Sequence, residues 1–207
     1  MNVIISSKVD MDSSATGFVL GVTPADWIKV VDGKASDSYL KDPNVVCIEV
    51  GGSGQTGLLN FDHHEKGGPK SCAVKQAYDS LRRFRRFKFV KPWHMYFNGD
   101  SKSLREAHFI VGRIVSYINK IETGGPQSLP TYGQVKPPLL SDIFSGMLLT
   151  TSDLIDQFFK GVSIFRHVVE TFQDPYRTIE GYDSYAQAKS EHNQKVRKAV
   201  NAAAWVR

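Results

Sequence analysis

The sequence predicts an α/β protein whose mainly parallel sheet carries helices on both faces. Short β-rich runs come early and alternate with segments of helical pattern, the order that builds such a sheet. The 207 residues suit one large domain or one domain plus a small appendage. The boundaries expected are a domain over 1–170 and a C-terminal helical extension over 171–207. With 41% hydrophobic and 23% charged residues, the chain has the means to bury a real core, which excludes a disordered segment. No apolar run approaches the roughly 20 residues of a membrane span, so no membrane partner is expected.

"NVIIS" is the first strand-like run, and the small residues of "SSATGFVLG" suit a tightly packed first helix. "WIKVV" and "NVVCIEV" are further strands, and "GLLNF" is a fourth that leads into Asp62. From Ser71, an expected N-cap, the pattern turns helical, with Ala73, Ala77, Leu81 and Phe84 at three- and four-residue spacing. "REAHFIVGRIVSYINKI" is the clearest amphipathic helix, its stripe made by Ile110, Ile114, Tyr117, Ile118 and Ile121. Residues 123–138 hold four of the nine prolines and predict a loop serving as lid or spacer. "LLSDIFSGMLLTTS" is a helix running into Asp153, followed by "IDQFFKGVSIFRHVVETF" and by a long, weakly apolar last helix.

The formal charge of +5 favours anionic partners. Much of the excess lies in "LRRFRRFKFVK", where Arg82, Arg83, Arg85, Arg86, Lys88 and Lys91 interleave with phenylalanines. That stretch fits a nucleic-acid backbone with stacking faces, and equally a solvated helix end with buried rings. Cys47 and Cys72 lie in apolar sequence without metal-ligand spacing, which points to a reducing cytoplasm. His94, His108, His167 and His192 read as packing or surface residues.

Parallel sheets gather ligand sites at the carboxyl ends of their strands. Those ends supply Asp10 and Asp12, then Glu49, then Asp62, His63 and His64, and a helix end supplies Asp153. Carboxylates with imidazole and no thiolate suit Mn²⁺ or Mg²⁺. After the triplet, the turn "EKGGPKS" leads to a helix start, where Lys66 and Lys70 are candidates for binding phosphate.

"VIISSKVDMDSSATG", "CIEVGG", "FDHH" and "FSGMLLTTSD" resemble, in order and spacing, the four motifs of the DHH phosphoesterase superfamily. That group includes RecJ-type nucleases, oligoribonucleases, cyclic-dinucleotide phosphodiesterases, exopolyphosphatases and manganese-dependent pyrophosphatases. The resemblance implies metal ligands at Asp10, Asp12, Glu49, His63 and Asp153, Glu49 bridging two ions. It implies that His64 faces the substrate phosphate and that Asp62 orients the cluster. A metal-activated water would attack a phosphodiester or phosphoanhydride of a nucleotide, short single-stranded oligonucleotide or polyphosphate.

The chain departs from the pattern where a histidine is normal and Ser6 stands, and where Glu49 replaces an aspartate. Both weaken the first metal position, because a hydroxyl is a poor ligand for a divalent transition ion. The usual second domain has no room in 207 residues, so the 123–138 loop or a second copy of the chain would close the cleft. The alternatives are a binding protein for nucleotides or nucleic acid on the same fold with weakened catalysis, and a nucleic-acid module using the basic stretch.

Overall fold

The computed structural model describes residues 1–83, 93–96, 100–130 and 132–204. Phe84, Arg85, Arg86, Lys88 and Lys91 of the basic stretch lie outside them; Arg82 and Arg83 are exposed at a helix end. Four strands, β1 (Asn2–Ser6), β2 (Trp27–Val31), β3 (Val45–Ile48) and β4 (Asn60–Phe61), form one sheet in the order β2-β1-β3-β4. Every pairing is parallel, with Ile4 opposite both Lys29 and Cys47. Alternate residues of the central strands enter separate cores: Val3, Ile5, Val46 and Ile48 face one, Ile4 and Cys47 the other. Burial on both faces is why these strands read as unbroken apolar runs.

The two faces are covered unequally. One carries α1 (Met11–Leu20), α3 (Ala73–Arg83), α4 (Ser101–Gly124), α5 (Leu140–Thr150) and α6 (Leu154–Glu170) around the larger core. On the other face the helical cover is the single turn of α2 (Asp37–Leu40), with Leu40 and Tyr39 packed on Ile4, Val45 and Cys47. The last helix, α7 (Asp183–Ala204), packs on α5, and residues 190–203 are exposed throughout. No helix among the described residues is long and apolar enough to cross a membrane.

Helix α1 is buried along its whole length, which its small residues permit. Ser14 lies against Gly161, Gly17 against the Phe158 ring and Phe18 beside Phe165, so α6 packs closely across α1. The amphipathic stripe of α4 behaves as its spacing predicts, with Ile110, Ile114, Tyr117 and Ile118 buried and Ile121 packed beside them. This helix starts earlier than the pattern suggests because Asp100 caps it, accepting the Ser103 N–H at 2.7 Å.

The expected boundary near residue 170 falls inside one continuous packing unit. Tyr176 and Ile179 belong to the larger core, and Asp174 takes Arg113 in a two-point ion pair at 2.9 and 2.8 Å. The 123–138 segment packs as well, with Leu129 buried and the Lys136 carbonyl accepting the Thr178 hydroxyl.

The contact of α1 with α6 is close enough to test. A Cβ on Gly161 would lie 2.5 Å from Ser14 Oγ and 2.7 Å from the Phe144 ring. Gly161→Ala is expected to destabilise the fold by about 1–3 kcal/mol in urea denaturation. A midpoint equal to that of the unaltered chain would contradict this packing.

Candidate metal centre

Four loops meet at the carboxyl edge of the sheet. After β1, Asp10 caps α1, its Oδ1 accepting the Ser13 N–H at 2.8 Å. Two residues on, Asp12 is fully buried, and its carboxylate accepts the N–H groups of Ala73 and Val74 at 2.7 Å each. These are the first amides of α3, which begins at Ala73. The helix start expected to receive a substrate phosphate is therefore filled by the chain's own Asp12, and Ser71 is not what caps it.

After β3, Glu49 adopts a left-handed backbone (φ 56) that a non-glycine residue rarely takes. Such strain persists where the surroundings impose it, commonly at functional sites. The carboxyl of Glu49 turns inward beside Asp10 and Asp12. Strand β4 stops at Phe61, so the two histidines escape the alternation that would send them to opposite faces. Their rings lie 4.3 Å apart on the same side. His63 Nε2 is 3.3 Å from Glu49 Oε1 and 3.7 Å from Asp12 Oδ2, while His64 Nδ1 is 3.7 Å from Glu49 Oε1. Glu49, His63 and His64 offer donor atoms within 4.8 Å of one another.

Glu49 Oε1 and His63 Nε2 are both buried and lack a hydrogen-bond partner. Groups so placed cost roughly 1–3 kcal/mol each unless something fills the gap. Burial, then the charges of Asp10 and Asp12, push the Glu49 carboxyl up to about 12. Burial and Asp10 also raise Asp12 against the pull of the Val74 and Ala73 amides.

Asp62 is arranged differently. Burial would raise its carboxyl, but the His64 N–H, the His64 ring and the Ser53 hydroxyl outweigh burial and hold it below its ordinary range. Its Oδ1 takes His64 Nδ1 at 2.9 Å, and its Oδ2 accepts from Gly51 N–H and Ser53 Oγ. Asp62 is thus a charged anchor that fixes the His64 ring.

Sequence reasoning missed one acid and misplaced another. Glu122, in the last turn of α4, is pushed up to about 7 by burial and by Asp10 and Asp12, with His64 opposing. The α4 end is pinned there by Asn119, whose Oδ1 accepts the Cys72 N–H at 3.1 Å. The signal was hidden because an acid at a helix end before "TGG" is explained by its position alone. Asp153, by contrast, is exposed and caps α6, accepting the Asp156 N–H at 2.8 Å. Asp153 belongs neither to the Glu49, His63 and His64 donor group nor to the lining of the cleft above it. The structure does not bring it to the cluster.

An open cleft of about 390 Å³ lies over the cluster, lined by Ser6, Lys8, Asp10, Lys34, Glu49 and His64 among others. Ser6 Oγ accepts the Lys8 N–H at 3.1 Å. Lys66 and Lys70 are exposed and outside this lining, and no described residue of 123–138 enters it. Cys47 and Cys72 are buried free thiols, both raised by burial, which leaves them inert.

No family model, curated protein or solved structure matches this chain.

The acid cluster sets a pH dependence. Glu49 rises from an ordinary 4.5 to about 12, and Glu122 from 4.5 to about 7, so folding holds protons that the unfolded chain releases above 4.5. Their contribution is complete below 4.5; the Glu122 share is lost by about 7, and the Glu49 share keeps falling towards about 12. Asp62, lowered from 3.8, acts oppositely and loses its contribution only as pH falls through the acid range. Metal-free protein is therefore expected to melt higher at about pH 5 than at pH 8. Glu49→Gln should remove most of that difference and raise metal-free stability at pH 8 by about 1 kcal/mol. A flat melting profile in the unaltered chain would contradict the buried acid pair.

Proposed function

We propose that this chain is a divalent-metal-dependent phosphoesterase of the DHH type. The observation that carries the reading is the pair of buried, unpartnered donors, Glu49 Oε1 and His63 Nε2, 3.3 Å apart beside Asp12. Oxygen and imidazole donors without thiolate fit Mn²⁺ or Mg²⁺. Glu49, His63 and Asp12 would hold the ion, with Asp10 and Glu122 adding negative charge around it.

The order of the elements supports the same reading, because the three motifs after β1, β3 and β4 converge at one sheet edge. When bound, such an ion supplies Lewis acidity to a phosphoryl oxygen and to a water. The chain's own residues do the rest. His64 donates Nδ1–H to Asp62, which leaves Nε2 as its remaining polar atom on a side chain 61% exposed at the cleft. Protonated, that ring donates to a phosphate oxygen; neutral, it accepts a proton at Nε2. Glu49 gives up its proton when a cation takes that proton's place, so metal uptake releases acid.

A second reading keeps the ion and drops the chemistry. It is favoured by Asp153, which caps α6 outside the donor group and the cleft lining, and by Ser6, whose hydroxyl accepts the Lys8 N–H. Fewer protein ligands would leave a binding protein for phosphorylated molecules on this fold.

Titration with Mn²⁺ followed by hydrolysis of bis(4-nitrophenyl) phosphate separates the two. The enzyme reading expects a melting temperature raised by several degrees and metal-dependent turnover. His63→Ala should abolish both, Glu122→Gln should weaken metal binding about tenfold, and Asp153→Asn should leave both unchanged. Binding without turnover selects the second reading, and no binding removes both.

A further inference from the structure

The lysines that the sequence offers for phosphate, Lys66 and Lys70, do not line the cleft; Lys34 does. It follows β2 at the turn Asp32–Gly33, where Gly33 takes φ 72. Its stem lies over Gly51, since a Cβ added there would meet Lys34 Cγ at 2.8 Å. Its ammonium ends 2.8 Å from Glu65 Oε1. Glu65 also accepts the Ser53 N–H at 2.9 Å, and Ser53 Oγ donates to Asp62 at 3.0 Å. Lys34 is thus strapped over the wall of the cleft onto the loop that carries His63 and His64.

Two features make this strap exchangeable. The side chains are 59% and 38% exposed, and water screens an ion pair so placed, which leaves it weak. Glu65 keeps the Ser53 amide when Lys34 leaves, so neither group is stranded. The same cleft holds a second cation, Lys8, which has no ion pair among the described residues. Asp32, one of the acids lining the same cleft, accepts the Ser7 hydroxyl at 3.0 Å and makes no ion pair with either lysine.

We propose that Lys34, exchanging Glu65 for substrate, acts with Lys8 to hold a second phosphate beside the one that reacts at Glu49, His63 and His64. The proposal rests on the phosphoesterase reading for the position of the reacting group. It assigns the substrate to molecules with at least two neighbouring phosphates, and it makes Glu65 a built-in competitor for them.

Calorimetric titration of the full chain tests this with methylenediphosphonate and methylphosphonate, each with and without a fixed free Mn²⁺ concentration. The diphosphonate is expected to bind at least about tenfold more tightly than the monophosphonate. Lys34→Ala should collapse that ratio to about threefold or less, Lys34→Arg should retain it, and Lys8→Ala should reduce it. Glu65→Gln should tighten diphosphonate binding, a gain that a merely structural ion pair would not produce; Lys66→Ala and Lys70→Ala should change nothing. An unchanged ratio in Lys34→Ala, or weaker binding in Glu65→Gln, overturns the proposal. Failure of Mn²⁺ to raise the melting temperature would instead sink the metal-site reading, while the metal-free titrations still decide the role of Lys34.

Discussion

The site depends on the Asp12 carboxylate. By accepting the first amides of α3 at 2.7 Å each, it ties the start of α1 to the start of α3 across sixty residues of sequence. Charge-assisted bonds to a helix N-terminus are strong, and full burial removes the water that would compete with them. Asn119 adds the α4 end to the same point through Cys72. The cluster is therefore floored by three helix ends whose positions are mutually fixed, and the loops after β3 and β4 close on that floor.

This arrangement has an electrostatic cost that the fold does not offset with cations of its own. Asp10, Asp12, Glu49 and Glu122 converge, and among the described residues no lysine or arginine pairs with any of them. The chain responds by retaining a proton on Glu49 and by holding Glu122 near neutrality. Asp62 escapes because it is satisfied by donors on every side. A structural role would not explain the contrast between a fully bonded Asp62 and an unbonded Glu49 oxygen two strands' ends apart. A divalent ion at Glu49 and His63 would, since it replaces the retained proton and supplies a partner to both orphaned atoms.

Much of this was legible in the chain. The central strands β1 and β3 announced themselves because burial on both faces demands unbroken apolar runs, whereas "GLLNF" yields only the two residues of β4. The strand-end rule picked out Asp10, Asp12, Glu49 and the Asp62–His64 triplet. What escaped were features set by long-range packing. Whether α2 or a full helix covers the second face depends on how residues 32–44 fold back, which no local pattern records. Lys34 reaches the cleft because β2 neighbours β1, and Glu122 comes near the acids of the cluster because α4 ends beside α3. Lys66 and Lys70 were favoured by proximity to a helix start, and that start turned out to be occupied from within the protein.

Asp153 shows why a motif can be right in its residue types while its acid stands elsewhere. In "SGMLLTTSD", Thr150, Thr151 and Asp153 each have a local duty. Thr150 bonds back to the Gly146 and Met147 carbonyls, Thr151 offers its carbonyl to Gln157, and Asp153 caps α6. Gly146 is required because the Tyr185 carbonyl lies 1.9 Å from where its Cβ would be. Helix termination, capping and close packing thus account for this stretch without a metal. No comparable account covers Glu49, whose strained backbone, buried carboxyl and missing partner all run against stability. At the cluster the acids after β1 and β3 are joined instead by Glu122, supplied by a different helix.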